Sequence, residues 1–96
     1  LKCEFKFPNA FTPDNDGLND DFGAIGECQL IEYSLTIFNR WGKTVFQTND
    51  FRDRWNGYFE NEPSPSEMYF WSVVIERFKN GKRTTEIKRG ALNLLR

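Results

Sequence analysis

Met68-Tyr69-Phe70-Trp71-Ser72-Val73-Val74-Ile75 is the longest β signal in the chain, and this run decides the fold together with the turn and return strand after it. Aromatic and β-branched side chains suit a pleated, half-buried surface, and they fill this run. Asn80-Gly81 then supplies a strong type I′ turn signal, because both central positions of that turn need positive φ. Lys82 to Leu95 returns as the last strand. Its alternation sets Thr85, Ile87, Arg89, Ala91, Asn93 and Leu95 on one face and Leu92 and Leu94 on the other. Tyr69, Phe70 and Trp71 are neighbours, so at least one of them stands outside the core. An exposed aromatic of that kind anchors an interface in some proteins, although single exposed apolar residues are ordinary. The tip, Asn80-Gly81-Lys82-Arg83, reads most simply as a solvated turn.

Upstream, Ile31 to Phe38 alternates in the same way, with Tyr33, Leu35 and Ile37 opposite Glu32, Ser34 and Thr36. Asn39-Arg40-Trp41-Gly42 interrupts it and Thr44-Val45-Phe46 resumes, which predicts a second hairpin with Gly42 free to take positive φ. Arg40 is placed to clamp a carboxylate across that hairpin, or to be a solvated turn residue. Cys3-Glu4-Phe5-Lys6-Phe7 has strand period, and Pro8 and Pro13 bracket the segment after it. Asn49 to Asn61 is irregular, with Trp55-Asn56-Gly57 as a tight turn. Glu62-Pro63-Ser64-Pro65-Ser66 is excluded from a central strand, because each Pro lacks a ladder donor. Trp41 and Trp55 are either core plugs beside turn glycines or a stacking platform for sugars. Short strands, frequent turns and no helical period predict an all-β fold: an immunoglobulin-like antiparallel β-sandwich of about seven strands, with residues 1–96 as one domain.

Composition narrows the function. Thirteen basic and 14 acidic residues leave a net charge of −1, without the basic footprint of a nucleic-acid binder. Aromatics make up 17% of the chain, which fits a β-rich core packed with flat side chains. Histidine is absent. The commonest general base and every Ser-His or Cys-His pair go with it, so no catalytic residue is assigned. A small hydrolase using Asp/Glu pairs is the distant reading. Cys3 and Cys28 are too few for zinc without histidine. They read as one disulfide in an oxidising compartment or as two buried thiols in a reducing one. No apolar run approaches a transmembrane span. The chain begins without Met or a signal-peptide pattern, as expected of a domain excised from something longer.

Between the prolines and the next apolar residues lies Thr12-Pro13-Asp14-Asn15-Asp16-Gly17-Leu18-Asn19-Asp20-Asp21. Carboxylates this dense repel one another, at about 1 kcal/mol per close pair in water, unless a cation sits among them. Thr12, Asp14, Asp16 and Gly17 fall on the oxygen-ligand frame of a Ca²⁺ loop, with Thr in place of the first Asp. Gly23 stands where an EF-hand has its Glu, so the ordinary EF-hand is excluded. The candidate ligands are Asp14, Asp16 and Asp20 by side chain and Leu18 by carbonyl, with Thr12 and Asn19 nearby. The plainer alternative is a solvated turn held by its own hydrogen bonds.

Phe7-Pro8-Asn9-Ala10-Phe11-Thr12-Pro13, Asp16-Gly17-Leu18-Asn19-Asp20, Ile37-Phe38-Asn39-Arg40-Trp41-Gly42 and Trp55-Asn56-Gly57 occur in that order. The set strongly resembles the gliding-motility-associated C-terminal domain, the type B sorting domain of type IX secretion cargo, from about Phe7 to Arg96. The resemblance implies an address label at the end of a larger cargo protein in a Gram-negative bacterium. That cargo would pass the periplasm, be recognised by the type IX secretion machinery at the outer membrane, and reach the cell surface or medium. The family pattern ends in a short apolar strand with a terminal basic residue, which Ala91-Leu92-Asn93-Leu94-Leu95-Arg96 matches; sorting information is expected on this strand, at Lys88, Arg89, Leu92, Leu94 and Arg96. The exported location favours the Cys3–Cys28 disulfide. Two departures stand out: Asp14-Asn15 precede Asp16-Gly17, adding a carboxylate, and Ser66-Glu67-Met68-Tyr69 replaces the family's usual Asp-Gly-Thr-Tyr turn. A Ca²⁺-stabilised carbohydrate-binding or adhesive β-sandwich is the competing reading.

Overall fold

The computed structural model describes residues 3–13, 21–28 and 31–95, with Cys3, Glu4, Glu27 and Cys28 as backbone alone. All regular structure among them is β. The strands are β1 (Cys3–Lys6), β2 (Ala10–Phe11), β3 (Ile25–Cys28), β4 (Glu32–Phe38), β5 (Thr44–Thr48), β6 (Tyr58–Phe59), β7 (Glu62–Pro63), β8 (Met68–Lys79) and β9 (Lys82–Leu94). A five-stranded sheet has the order β2-β9-β8-β4-β5, and two ribbons, β1-β3 and β6-β7, complete the fold. The all-β expectation holds, but strand lengths are less even than the turn spacing suggests. Met68 to Lys79 contains no turn former, so β8 and β9 run on for 12 and 13 residues.

Both predicted hairpins form, and each turn has a local cause. Asn80 and Gly81 take φ of 54° and 77°, the left-handed pair that matches the strand twist. Asn39 organises the other: the amides of Trp41 and Lys43 donate to its Oδ1, both at 2.9 Å. Gly42 closes that turn at φ 82°. The register slips between Ile37 and Phe38, a bulge after which Phe38 pairs with Thr44 beside the turn.

One face of the large sheet makes the core. Leu35, Ile37, Val73, Ile75, Leu92 and Leu94 are fully buried there. Phe11, Phe22 and Trp55 belong to the same buried cluster, and half-buried Phe5, Phe7 and Phe51 pack against it. The rings form a chain of edge and tilted contacts: Phe5 to Phe7 at 5.9 Å, Phe7 to Trp71 at 4.3 Å, Phe11 to Trp55 at 5.5 Å and Trp55 to Tyr69 at 5.1 Å. Of the three neighbouring aromatics, Tyr69 is buried, Trp71 half-buried and Phe70 exposed. Trp71 lies across Gly90, its partner in register. A Cβ at Gly90 would fall 2.6 Å from the ring, so this glycine makes room for an aromatic.

Two ion pairs lace the hairpin. Arg77 donates to both oxygens of Glu86, at 3.0 and 3.1 Å, and Arg83 pairs with Glu76. Hydrogen bonding from these guanidiniums holds both carboxyls below the usual range. A depressed folded value stabilises the fold above the unfolded value, about 4.3 for Glu, and that contribution disappears as pH falls through the folded value. Glu86→Gln should therefore flatten the acid limb of a pH-dependent unfolding series. The change will be small, because both pairs lie near solvent.

Candidate recognition surface

The terminal strand is divided by its own alternation. Leu92 and Leu94 point into the core and are wholly buried, so they hold the strand down, and the residues alternating with them face outward. Arg89, opposite Ser72, is exposed on the outer face. Lys88, opposite Val73, reaches back so that its Nζ lies 4.6 Å from the centre of the Phe5 ring. The end of β9 is fixed by β2, which runs parallel beside it with Ala10 opposite Asn93 and Phe11 opposite Leu94. The Asn93 amide donates to the Asn9 carbonyl at 2.8 Å and the Leu95 amide to that of Phe11 at 3.0 Å. Arg96 lies outside the described residues.

The two tryptophan motifs part company. Trp55 is 1% exposed and its Nε1 donates to the Tyr58 carbonyl at 2.9 Å. It is a core plug, which leaves it unavailable for stacking on a sugar. Gly57, at φ 85°, turns the chain behind it. Trp41 is 79% exposed at the β4–β5 tip, with the Arg40 guanidinium 5.0 Å from its ring centre. Arg40 also meets Glu67 at 3.6 Å. Beside this tip Lys43, Phe59, Pro63 and Glu67 border a groove of about 310 Å³.

Asp14, Asp16, Leu18, Asn19 and Asp20 lie outside the described residues; Thr12 is half-buried at their border. On the far side Asp21 receives Arg54 Nε at 2.7 Å, and the same guanidinium donates to the Ala24 carbonyl at 3.0 Å. Phe22 and Trp55 then exchange backbone hydrogen bonds of 2.8 Å in both directions. The acidic segment is thus tied at its C-terminal end to the Trp55 turn. Among the described residues no cluster of three or more His, Cys, Asp or Glu side chains is built to hold a metal. Cys3 and Cys28 are direct backbone partners in the β1–β3 ladder.

Sequence reasoning misses Arg54, Glu67 and Gly90. The first two are charges in irregular segments, where no period marks which ones are paired. Gly90 does leave a signal, since glycine inside a strand pattern marks a close approach. Tyr33 is a further surprise: its hydroxyl is buried without a hydrogen-bond partner among the described residues, and burial pushes the phenol up to about 12.

The sequence model described as CHU_C type IX secretion signal domain matches residues 5–94. Neither the curated proteins nor the solved structures provide a match.

Proposed function

The chain belongs to the type IX secretion signal domain family, and we propose that it is the C-terminal domain of a larger cargo, read as a folded unit by the secretion machinery at the outer membrane. A sorting signal role and export to the cell surface or medium come with the family itself. Passage through a Gram-negative periplasm, a cargo N-terminal to this chain and residues 1–96 as one sorting domain are the finer parts of the proposal. So is an immunoglobulin-like two-layer arrangement, supported by Phe5 of β1 and the neighbouring Phe7, which pack against the buried cluster that holds the core side chains of the large sheet. The observation that carries the reading is the family match across the described fold. The experiment is to fuse residues 1–96 to a periplasm-directed reporter in a type IX host. Reporter in the medium or on the surface supports the role, and reporter retained in the periplasm beside a folded domain refutes it.

Two site proposals accompany it. A Cys3–Cys28 disulfide is supported by their direct opposition in an antiparallel ladder, where Cα atoms lie about 4.5–5.5 Å apart, within the range a disulfide bridges. It would stabilise the fold by roughly 3 kcal/mol on the chain-entropy account. Mass spectrometry of unreduced, alkylated protein should find no free thiol; two alkylated cysteines would refute it.

The second is one Ca²⁺ held by Asp14, Asp16 and Asp20 with the Leu18 carbonyl. Hard oxygen donors suit the ion, and Arg54 already neutralises Asp21, leaving that carboxylate out of the ligand set. Extracellular modules bind Ca²⁺ in the ~10⁻⁴–10⁻³ M range. Calorimetry at millimolar Ca²⁺ should show heat and a raised Tm, while neither change would leave a turn closed by its own hydrogen bonds.

A further inference from the structure

Among the described residues β9 has one satisfied edge and one open one. In a two-residue hairpin the residues flanking the turn, here Lys79 and Lys82, exchange both backbone hydrogen bonds, and bonded pairs alternate from there. The bonds to β8 therefore fall on Lys82, Thr84, Glu86, Lys88, Gly90 and Leu92, in register with Lys79 through Tyr69. The amides and carbonyls of Arg83, Thr85, Ile87, Arg89 and Ala91 point the other way. The same phase is visible further on: the amides of Asn93 and Leu95 point toward β2, and that of Leu94 toward the Glu67 carbonyl. β2 covers only the last two rungs, opposite Asn93 and Leu94. Among the described residues no strand pairs with the edge from Arg83 to Ala91.

Charge selects what this edge accepts. Lys82, Arg83, Lys88 and Arg89 line it, against Glu86 alone. Glu86 is held by Arg77, and Glu76 by Arg83, so among the described residues the lysines and Arg89 have no carboxylate in an ion pair. Lysine and arginine on an edge discourage pairing with another copy, since two such edges would bring eight basic groups against two acidic ones. An acidic strand meets no such repulsion. Ile87, 57% exposed, offers an apolar contact midway along.

We propose that the open edge of β9 is a strand-addition site for an extended acidic segment of a partner protein, docked by the backbones of Arg83, Thr85, Ile87, Arg89 and Ala91 and selected by Lys82, Lys88 and Arg89. Backbone pairing supplies affinity in such complexes, and side chains supply specificity. The pairing rests on the open ladder and its charge; only a place for that partner in the export machinery rests on the sorting role.

The test uses the purified domain and a short synthetic peptide of alternating threonine and glutamate, monitored by amide NMR. Binding should slow hydrogen exchange at Arg83, Thr85, Ile87 and Arg89 while leaving the amides that face β8 as they were. A version of the peptide N-methylated at alternate residues should bind about tenfold more weakly or worse, as should an alternating threonine and lysine peptide. Ile87→Pro removes one outward N–H, a change an edge strand tolerates, and should weaken binding to a similar degree. Arg89→Glu, an exposed change that spares the fold, should shift preference toward the lysine peptide. Equal binding of the methylated peptide, exchange protection without the alternation, no binding at millimolar peptide, or dimerisation of the domain through this edge would each overturn the proposal. Reporter export is a separate readout, so a failed peptide test leaves the sorting role standing.

Discussion

Trp55→Ala will lose about 3–5 kcal/mol of stability, the cost of truncating a large buried aromatic. Trp55 is fully enclosed between Phe11 and Tyr69, donates its indole N–H to Tyr58, and bridges Phe22 through the backbone. The cavity cannot collapse easily, because the Arg54 clamp fixes one flank and the Gly57 turn the other. Small domains have only about 5–15 kcal/mol in hand, so a large share of the margin disappears. A urea titration by fluorescence of the remaining tryptophans should show a much lower midpoint with an unchanged slope.

Charge reversal on β9 should produce the opposite pattern. Arg89→Glu, with Lys88→Glu, should change stability by no more than about 1 kcal/mol, chiefly through loss of the exposed Lys88–Phe5 contact. Export of a fused reporter should fall by an order of magnitude or so, the loss of about 1.4 kcal/mol or more of recognition. Leu94→Ala, by contrast, should cost about 2–5 kcal/mol and reduce export only as far as it unfolds the domain. Comparing secreted reporter with the folded fraction separates the two effects. If charge-reversed domains are exported normally and only unfolded ones are retained, the fold itself is the signal and β9 carries no address.

The hairpins are legible in the sequence because period-2 alternation and turn chemistry agree at each. Asn80-Gly81 and Asn39 to Gly42 specify turns by residue type, and the flanking strands then have one register that buries the apolar face. The burial of Leu92 and Leu94 comes from the same alternation. The opposing layer is not legible. Its β6 and β7 are two residues each, too short to carry a period, as is β2 at the edge of the large sheet. β3, Ile25–Cys28, contains Gly26 at φ 129°, a residue that weakens any strand pattern. Aromatic composition does foretell how that layer is filled, by rings reaching in from loops, but not which rings. Trp55 and Trp41 sit in similar Gly-bearing turns, and only tertiary packing separates the plug from the exposed tip. The open edge of β9 is equally invisible, since an edge is defined by what fails to pair beside it.

The parallel join of β2 to the end of β9 sets when the domain can be finished. The β8–β9 hairpin closes over a two-residue turn and can form on its own within microseconds. The β2–β9 contact unites the first and last strands of the large sheet and must wait for the long stretch between them to close, an entropic cost that local pairing does not face. Ala10 and Phe11 can dock only on a β9 that has already emerged and been seated by Leu92 and Leu94. A chain that stalls or is cut before those leucines keeps most of its hairpins yet never joins β2 to β9. The join therefore works as a check on the domain: only a chain synthesised through β9 can present the finished surface.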